Sequence, residues 1–276
     1  PRTLFEKIVL ADGVFAPVSD RVFGSAELLH PLDAWIGTLA FSGQIFCDFA
    51  GYTTCAIGMS LVLGFALPDN FRYPYAAIGF SDFWRRWHIS LSTWLRDYLY
   101  VPLGGNRNGA ARTYVNLMLT MLLGGLWHGA AWTFVVWGGL HGSYLAAERW
   151  LKPRLGHLDV WRTWLGRIAL AALTYFLVNL TWVFFRAQDF ATAERMIRSM
   201  LLIERSGAPV LTHWFLLSTS VAIAALLIAH WRMRDAMLHD AVSRWPAALV
   251  GLTWGAMLFL IAITQGGGNA FIYFQF

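Results

Sequence analysis

The chain has 276 residues, of which 57% are hydrophobic and only 13% are charged. Because a soluble domain carries about a quarter charged residues, this composition excludes an ordinary soluble protein and indicates an integral membrane protein. The net charge of +5 is small and dispersed, which argues against a nucleic-acid partner and suits loops that face anionic membrane lipid.

The first segment is predicted as interfacial and loop structure over residues 1–33. Residues 4–16 form a short amphipathic stretch, too short to span and therefore expected to lie in the membrane interface. Residues 17–31 are predicted as a polar loop. The chain starts at Pro1 with residues typical of the middle of a protein, so we expect further transmembrane spans before it.

Residues 34–67 are predicted as a membrane region, because they are apolar for more than thirty residues except for Gln44 and Asp48. This length fits either one strongly tilted span or two shorter segments that meet near Gly51. The Asp48 carboxyl group at membrane depth has two interpretations: it is neutral or hydrogen-bonded to a neighbouring helix, or it lines a functional chamber.

Residues 68–112 are polar and rich in arginine, so the positive-inside rule predicts a cytoplasmic location. Ser81 and Asp82 suggest the N-cap of a helix that continues to about Tyr100. A basic amphipathic helix rich in tryptophan is typical of the membrane interface. Its apolar face is predicted to carry Trp84, Trp87, His88, Leu91, Leu95 and Tyr98.

Residues 113–147 contain two apolar segments separated by His128 and Gly129. An imidazole in hydrocarbon is unfavourable, so His128 is a candidate functional residue at the bottom of a reaction chamber. The segment is predicted as a re-entrant hairpin or as two crossings. Three further spans are predicted over residues 165–264, at about 165–185, 212–230 and 247–264.

These segments predict an all-α fold: a multi-pass transmembrane helical bundle with re-entrant or interfacial helices around a central catalytic chamber. We expect residues 1–276 to form a single membrane-embedded domain. A metal centre is not expected, because thirteen residues separate His128 from His141, about 20 Å of helical rise and roughly 200° around the axis. Neither a nucleophile elbow nor a phosphate-binding loop is present in the sequence. The remaining chemistry is a neutral imidazole acting as a general base, and a structural or proton-relay role for His128 is the alternative.

Two ordered motifs closely resemble the membrane-bound O-acyltransferase family, and in particular its alginate O-acetyltransferase branch. The first motif runs from Phe83 to Tyr100 and continues from Pro102 to Arg107. The second motif runs from Gly125 to Ala130. Further similar positions are Trp132, Trp137-Gly138, His141-Gly142, the run from Asp48 to Tyr52, Ala56 to Gly58 and the final Phe271 to Phe276.

The resemblance implies that His128 is the family's essential histidine and that His88 occupies its second motif position. It implies no bound cofactor, a donor (acetyl-CoA) that arrives from the cytoplasm, and an exported polysaccharide as the acceptor, reached directly or through a periplasmic acetyltransferase partner. It also implies a bacterial inner-membrane location. One departure is the run from Thr53 to Cys55, where relatives usually have Ser-Asp-Met, so a polar contact there is lost or replaced.

The candidate site therefore has two predicted catalytic residues, His88 and His128, and no metal ligands. The arginines could attract the phosphates of the donor or anchor the helix to anionic lipid, and the tryptophans could line the chamber or only pack. Two rival functions remain, a transporter with a proton path through the buried histidines and a non-catalytic scaffold subunit. The predicted donor-binding or chamber-lining residues are Asp48, Trp84, Arg85, Arg86, Trp87, Arg96, Asp97, Trp127, Trp132 and His141.

Overall fold

The structure is a computed structural model that describes residues 1–203, 207–236, 242–243 and 245–264. All regular elements among these residues are helical, which confirms the all-α class. The final aromatic motif, residues 271–276, lies outside the described residues. The chain divides into two compact units, one formed by residues 1–69 and 191–276 and the other by residues 70–190.

The helices are described in chain order, with short 3-10 turns at Pro74–Ala76 and Asp159–Arg162. They are α1 (Arg2–Leu4), π1 (Phe5–Phe15, π-helical), α2 (Ala16–Phe23), α3 (Pro31–Val62), α4 (Phe80–Trp84), α5 (Ile89–Leu95), π2 (Arg96–Tyr100, π-helical), α6 (Gly109–His128), α7 (Trp132–Leu155), α8 (Trp164–Arg186), α9 (Phe190–Met200), α10 (His213–Met233) and α11 (Ala247–Thr264).

Among the described residues, four helices are long and apolar enough to cross a membrane: α3, α8, α10 and α11. The last three coincide with the predicted spans to within three residues at each end. Together with the composition, these helices make the chain an integral membrane protein.

The amino-terminal segment is more helical than predicted, because α1, π1 and α2 follow one another without a gap. The prediction of a polar loop over residues 17–31 is therefore wrong for its first part. Pro17 lies in the first turn of α2, where a missing N–H removes no helical hydrogen bond. Only residues 24–30 connect α2 to α3.

Of the two interpretations of the long apolar region, the structure has the single helix. α3 continues through Gly51 for 32 residues, about 48 Å at 1.5 Å per residue. Its buried residues extend from Asp33 to Gly51, and the last three turns are more exposed. The buried part packs on π1, where a Cβ atom at Gly43 would lie 2.7 Å from the Phe15 ring.

The predicted helix from Ser81 to Tyr100 is wrong as one continuous element. α4 already begins at Phe80, ends at Trp84 and is followed by a turn before α5 begins at Ile89. His88 has a left-handed backbone conformation with φ 43° and ψ 56°, which a helix does not accommodate.

The break in this helix has a cause that lies earlier in the chain. The amide of Arg72 donates to the carbonyl oxygen of Arg86 (2.9 Å), and the amide of Ile89 donates to the carbonyl oxygen of Asn70 (3.0 Å). These bonds use backbone groups on either side of His88 that a continuous helix would need for its own ladder.

α6 and α7 form a tightly packed hairpin around the break predicted at His128. Two glycines allow this contact: a Cβ atom at Gly125 would collide with the carbonyl oxygen of Phe134, and one at Gly138 with that of Met121. α7 extends to Leu155, beyond the predicted end of the hairpin at residue 147.

Candidate functional site

His128 is the last residue of α6, and its half-buried imidazole lies inside a shell of aromatic rings. The ring centroids of Trp127, Trp137 and Phe185 are 5.1, 5.1 and 5.0 Å from that of the imidazole, and each of the three rings is edge-on to it. Phe134 completes the shell at 6.4 Å. The imidazole is therefore held among apolar groups.

His88 is held by Asn70 at the start of α5. Its Nδ1 lies 3.2 Å from the Asn70 Oδ1, which also accepts hydrogen bonds from the amide (3.2 Å) and hydroxyl (2.9 Å) of Ser90. Since a carbonyl oxygen only accepts, Nδ1 of His88 carries the proton and Nε2 is the acceptor nitrogen. Burial lowers the pKa of His88 from 6.5 to about 4, so the ring is neutral at physiological pH.

Trp127 connects the two predicted catalytic histidines. Its ring centroid lies 6.1 Å from that of His88 and 5.1 Å from that of His128, with both pairs close to perpendicular. The structure thus brings His88 and His128 to the same site, separated by one indole ring, although forty residues separate them in sequence.

His141 lies on the other side of the aromatic shell and is fully buried. Its Nε2 is 3.0 Å from the hydroxyl oxygen of Thr181, and that hydroxyl donates to the carbonyl oxygen of Val178 (2.7 Å). The imidazole of His141 packs against Trp137 at 4.8 Å and Trp84 at 5.2 Å. Trp137 therefore contacts both His128 and His141.

The three predicted arginines lie in different surroundings. Arg86 forms an ion pair with Asp82 (2.8 Å) and also donates to the carbonyl oxygen of Arg72 (3.2 Å). These contacts stabilise the turn before His88. Arg85 is exposed. Arg96 and Asp97 are also exposed and pair with each other at 2.7 Å.

The remaining predicted aromatic residues differ in burial. Trp87 is buried, stacks on Phe83 with an interplanar angle of 12° and lies 5.1 Å from Trp182. Trp132, the first residue of α7, is 74% exposed. Trp87 thus contributes to the packing under the site, whereas Trp132 remains accessible at its edge.

Asp48 belongs to the other compact unit, where its buried carboxylate forms an ion pair with Lys7. Lys7 also pairs with Asp12 at 2.9 Å. The carboxyl group is thus partnered by a neighbouring helix, one of the two interpretations offered by the sequence. A role of Asp48 in lining the chamber remains a prediction.

Three residues that hold the site together were missed by the sequence reasoning: Asn70, Glu148 and Thr181. A carboxylate oxygen of Glu148 accepts from the amide of Ser81 (2.9 Å) at the start of α4. Each of the three bonds a partner 18 to 67 residues away. Such partners leave no periodic signal, and only a polar residue within an apolar stretch, as at Thr181, hints at them.

The arrangement can perform acid–base chemistry at His128 or His88, because both imidazoles lie among apolar groups that favour the neutral, proton-accepting form. Among the described residues, no three His, Cys, Asp or Glu side chains are grouped so that they could hold a metal ion.

Comparison with known proteins gives consistent matches. Residues 21–158 match the sequence model of the membrane-bound O-acyltransferase family. A protein named "Probable alginate O-acetylase" from Azotobacter vinelandii is 44% identical over 225 residues, covering 82% of this chain and 43% of the relative. One of the same name from Pseudomonas putida is 39% identical, covering 98% of this chain and 59% of the relative. A "Peptidoglycan O-acetyltransferase" of Helicobacter pylori is 43% identical, covering 72% of this chain and 37% of the relative. The chain thus spans about 37–59% of the length of these relatives.

Proposed function

The chain belongs to the membrane-bound O-acyltransferase family, and from this we propose that it transfers an acetyl group from acetyl-CoA to hydroxyl groups of an exported polysaccharide such as alginate. The names of the relatives support a polysaccharide acceptor. The protein would act in the bacterial inner membrane, with the donor on the cytoplasmic side. The acetyl group would reach the polymer directly or through a periplasmic partner.

The observation that carries this proposal is the position of His128, half-buried at the end of α6 within an aromatic shell. A neutral imidazole there accepts the proton of the acceptor hydroxyl while its oxygen attacks the thioester carbonyl carbon. The carbon–sulfur bond then breaks, the ester bond forms, and the proton passes from the imidazolium to the leaving thiolate. The products are the acetyl ester and free coenzyme A, and His128 is again neutral.

His88 would support this step without exchanging its own proton. Its Nδ1–H donates a hydrogen bond to Asn70, so Nε2 is the acceptor nitrogen of the ring, and His88 would help to orient the reacting groups. The exposed Arg85 would attract the donor phosphates, whereas Arg86 forms an ion pair with Asp82.

The test is release of free thiol from acetyl-CoA by the purified full-length protein, with deacetylated alginate oligosaccharide as the acceptor. His128→Gln keeps a polar side chain of similar size but removes the base. We expect the rate to fall about 100-fold or more, because general base catalysis contributes at least this much. His157→Gln, at an exposed histidine, is the control and should match the parent protein.

Two outcomes would contradict the proposal. If His128→Gln retains a rate close to that of the parent, the imidazole is not the base. If the parent releases no thiol with or without acceptor, the scaffold interpretation replaces the enzymatic one. Solute flux into vesicles by a parent protein that performs no acyl transfer would instead favour the transporter.

A further inference from the structure

Three polar atoms of the rings that cluster around Trp137 have no hydrogen-bond partner among the described residues. They are Nε1 of Trp84, Nε1 of Trp137 and Nδ1 of His141, and each atom is shielded from solvent. Trp137 is 1% and His141 0% exposed as whole residues. Because buried polar atoms are nearly always hydrogen-bonded, three such atoms in one cluster require an explanation.

The protonation of His141 follows from its partner. The Thr181 hydroxyl gives its only hydrogen to the carbonyl oxygen of Val178, so it can only accept from Nε2 of His141. Nε2 therefore carries the proton, and Nδ1 is an acceptor without a hydrogen-bond partner among the described residues. The indole N–H groups of Trp84 and Trp137 can only donate. The cluster thus offers two donors and one acceptor.

The three rings lie in mutual contact. The ring centroid of Trp84 is 5.9 Å from that of Trp137 and 5.2 Å from that of His141. The centroids of Trp137 and His141 are 4.8 Å apart. Trp137 is also 5.1 Å from His128. A small group bound by these rings would therefore lie one indole ring away from the proposed base.

We propose that Trp84, Trp137 and His141 form a binding site for a single hydroxyl group beside His128. A hydroxyl oxygen accepts two hydrogen bonds and donates one, which matches two N–H donors and one acceptor nitrogen. A carbonyl or carboxylate would leave Nδ1 of His141 unsatisfied, and an ammonium group could not use the indole donors. The hydroxyl belongs either to an ordered water or to the alcohol that receives the acyl group; only the second source rests on the proposed function.

The experiment is NMR of the full chain in detergent with 15N-labelled indoles. Trp84→Phe and Trp137→Phe assign the two resonances and keep the aromatic rings. We expect both indole protons at the downfield positions of hydrogen-bonded N–H groups. His141→Phe should move both upfield by removing the acceptor that orients the hydroxyl. Thr181→Val is a milder variant that should also move both resonances upfield. It removes the hydroxyl that keeps the proton of His141 on Nε2.

The control is Trp94→Phe, which changes an exposed indole and should leave both resonances unchanged. Indole resonances at upfield positions in the parent, or resonances that do not respond to His141→Phe and Thr181→Val, would overturn the proposal. A cross-peak from both indoles to water that survives addition of acceptor oligosaccharide identifies water as the occupant. Loss of that cross-peak, with a KM for the acceptor about tenfold higher in Trp137→Phe and an unchanged KM for acetyl-CoA, identifies the substrate hydroxyl. An inactive parent would refute the proposed function but leave the NMR result valid.

Discussion

His88 combines an unusual backbone conformation with a neutral side chain. The left-handed conformation (φ 43°) turns the chain away from the helix, and Oδ1 of Asn70 accepts a hydrogen bond from the Nδ1–H of the imidazole. Asparagine is the residue that tolerates this conformation best apart from glycine. His88→Asn can therefore remove the titrating group without adding backbone strain.

This substitution leads to a prediction about pH. The pKa of His88 is lowered to about 4 by burial, whereas that of an unfolded histidine is about 6.5. Between these values the unfolded chain binds a proton that the folded chain does not, so stability falls as pH decreases from about 6.5 to 4, by about 3 kcal/mol in total. We expect His88→Asn to lose less thermal stability than the parent between pH 7.5 and 4.5.

The measurement is the unfolding temperature in detergent at both pH values. His157→Asn, at an exposed histidine, should keep the pH dependence of the parent. An identical decrease in the parent and in His88→Asn would mean that the imidazole of His88 titrates normally in the folded protein.

At the scale of elements, sequence pattern predicts helices well where one long apolar run decides the outcome, as in α8, α10 and α11. It fails around His88, because hydrophobic periodicity is local whereas the break depends on backbone bonds from Asn70 and Arg72. It predicts His128 as a candidate base from its neighbours in sequence. It does not predict that Trp137 and Phe185 enclose the imidazole, because Phe185 is contributed by another helix.

An ion pair joins π1 to α3. The ammonium group of Lys7 pairs with the carboxylates of Asp12 and Asp48, and the Asp48 side chain is only 2% exposed. Lys7→Met would leave two carboxylates facing each other without a cation. We expect a loss of about 3 kcal/mol in the free energy of unfolding, measured by denaturation in mixed micelles.

Adding Asp48→Asn to Lys7→Met removes one of the two uncompensated charges, so it should recover part of the lost stability. Arg162→Met breaks an exposed ion pair with Asp159 and should change stability by less than about 1 kcal/mol. Additive effects of Lys7→Met and Asp48→Asn would mean that the two groups do not interact.

At the scale of the whole molecule, both compact units place polar side chains inside a largely apolar chain and expose apolar ones. α11 is the clearest case, since only 6% of this apolar helix is buried. We expect the exposed apolar side chains of a membrane-spanning helix to face lipid, where groups that would be unfavourable in water are stable. The composition alone therefore predicts that α11 lies in a lipid environment, although it does not predict which side chains of α11 face the lipid.

Leu252 offers a test of that environment, because it is 72% exposed and lies about one turn from the centre of α11. If it faces lipid, Leu252→Lys places an ammonium group in hydrocarbon at a cost of about 2–3 kcal/mol, so we expect a smaller fraction of α11 to insert. Glycosylation sites placed on either side of α11 in the full chain would measure that fraction. Val160→Lys, at another exposed position in the 3-10 turn between α7 and α8, should insert as the parent does. Equal insertion of Leu252→Lys and the parent would mean that this face of α11 does not lie in hydrocarbon.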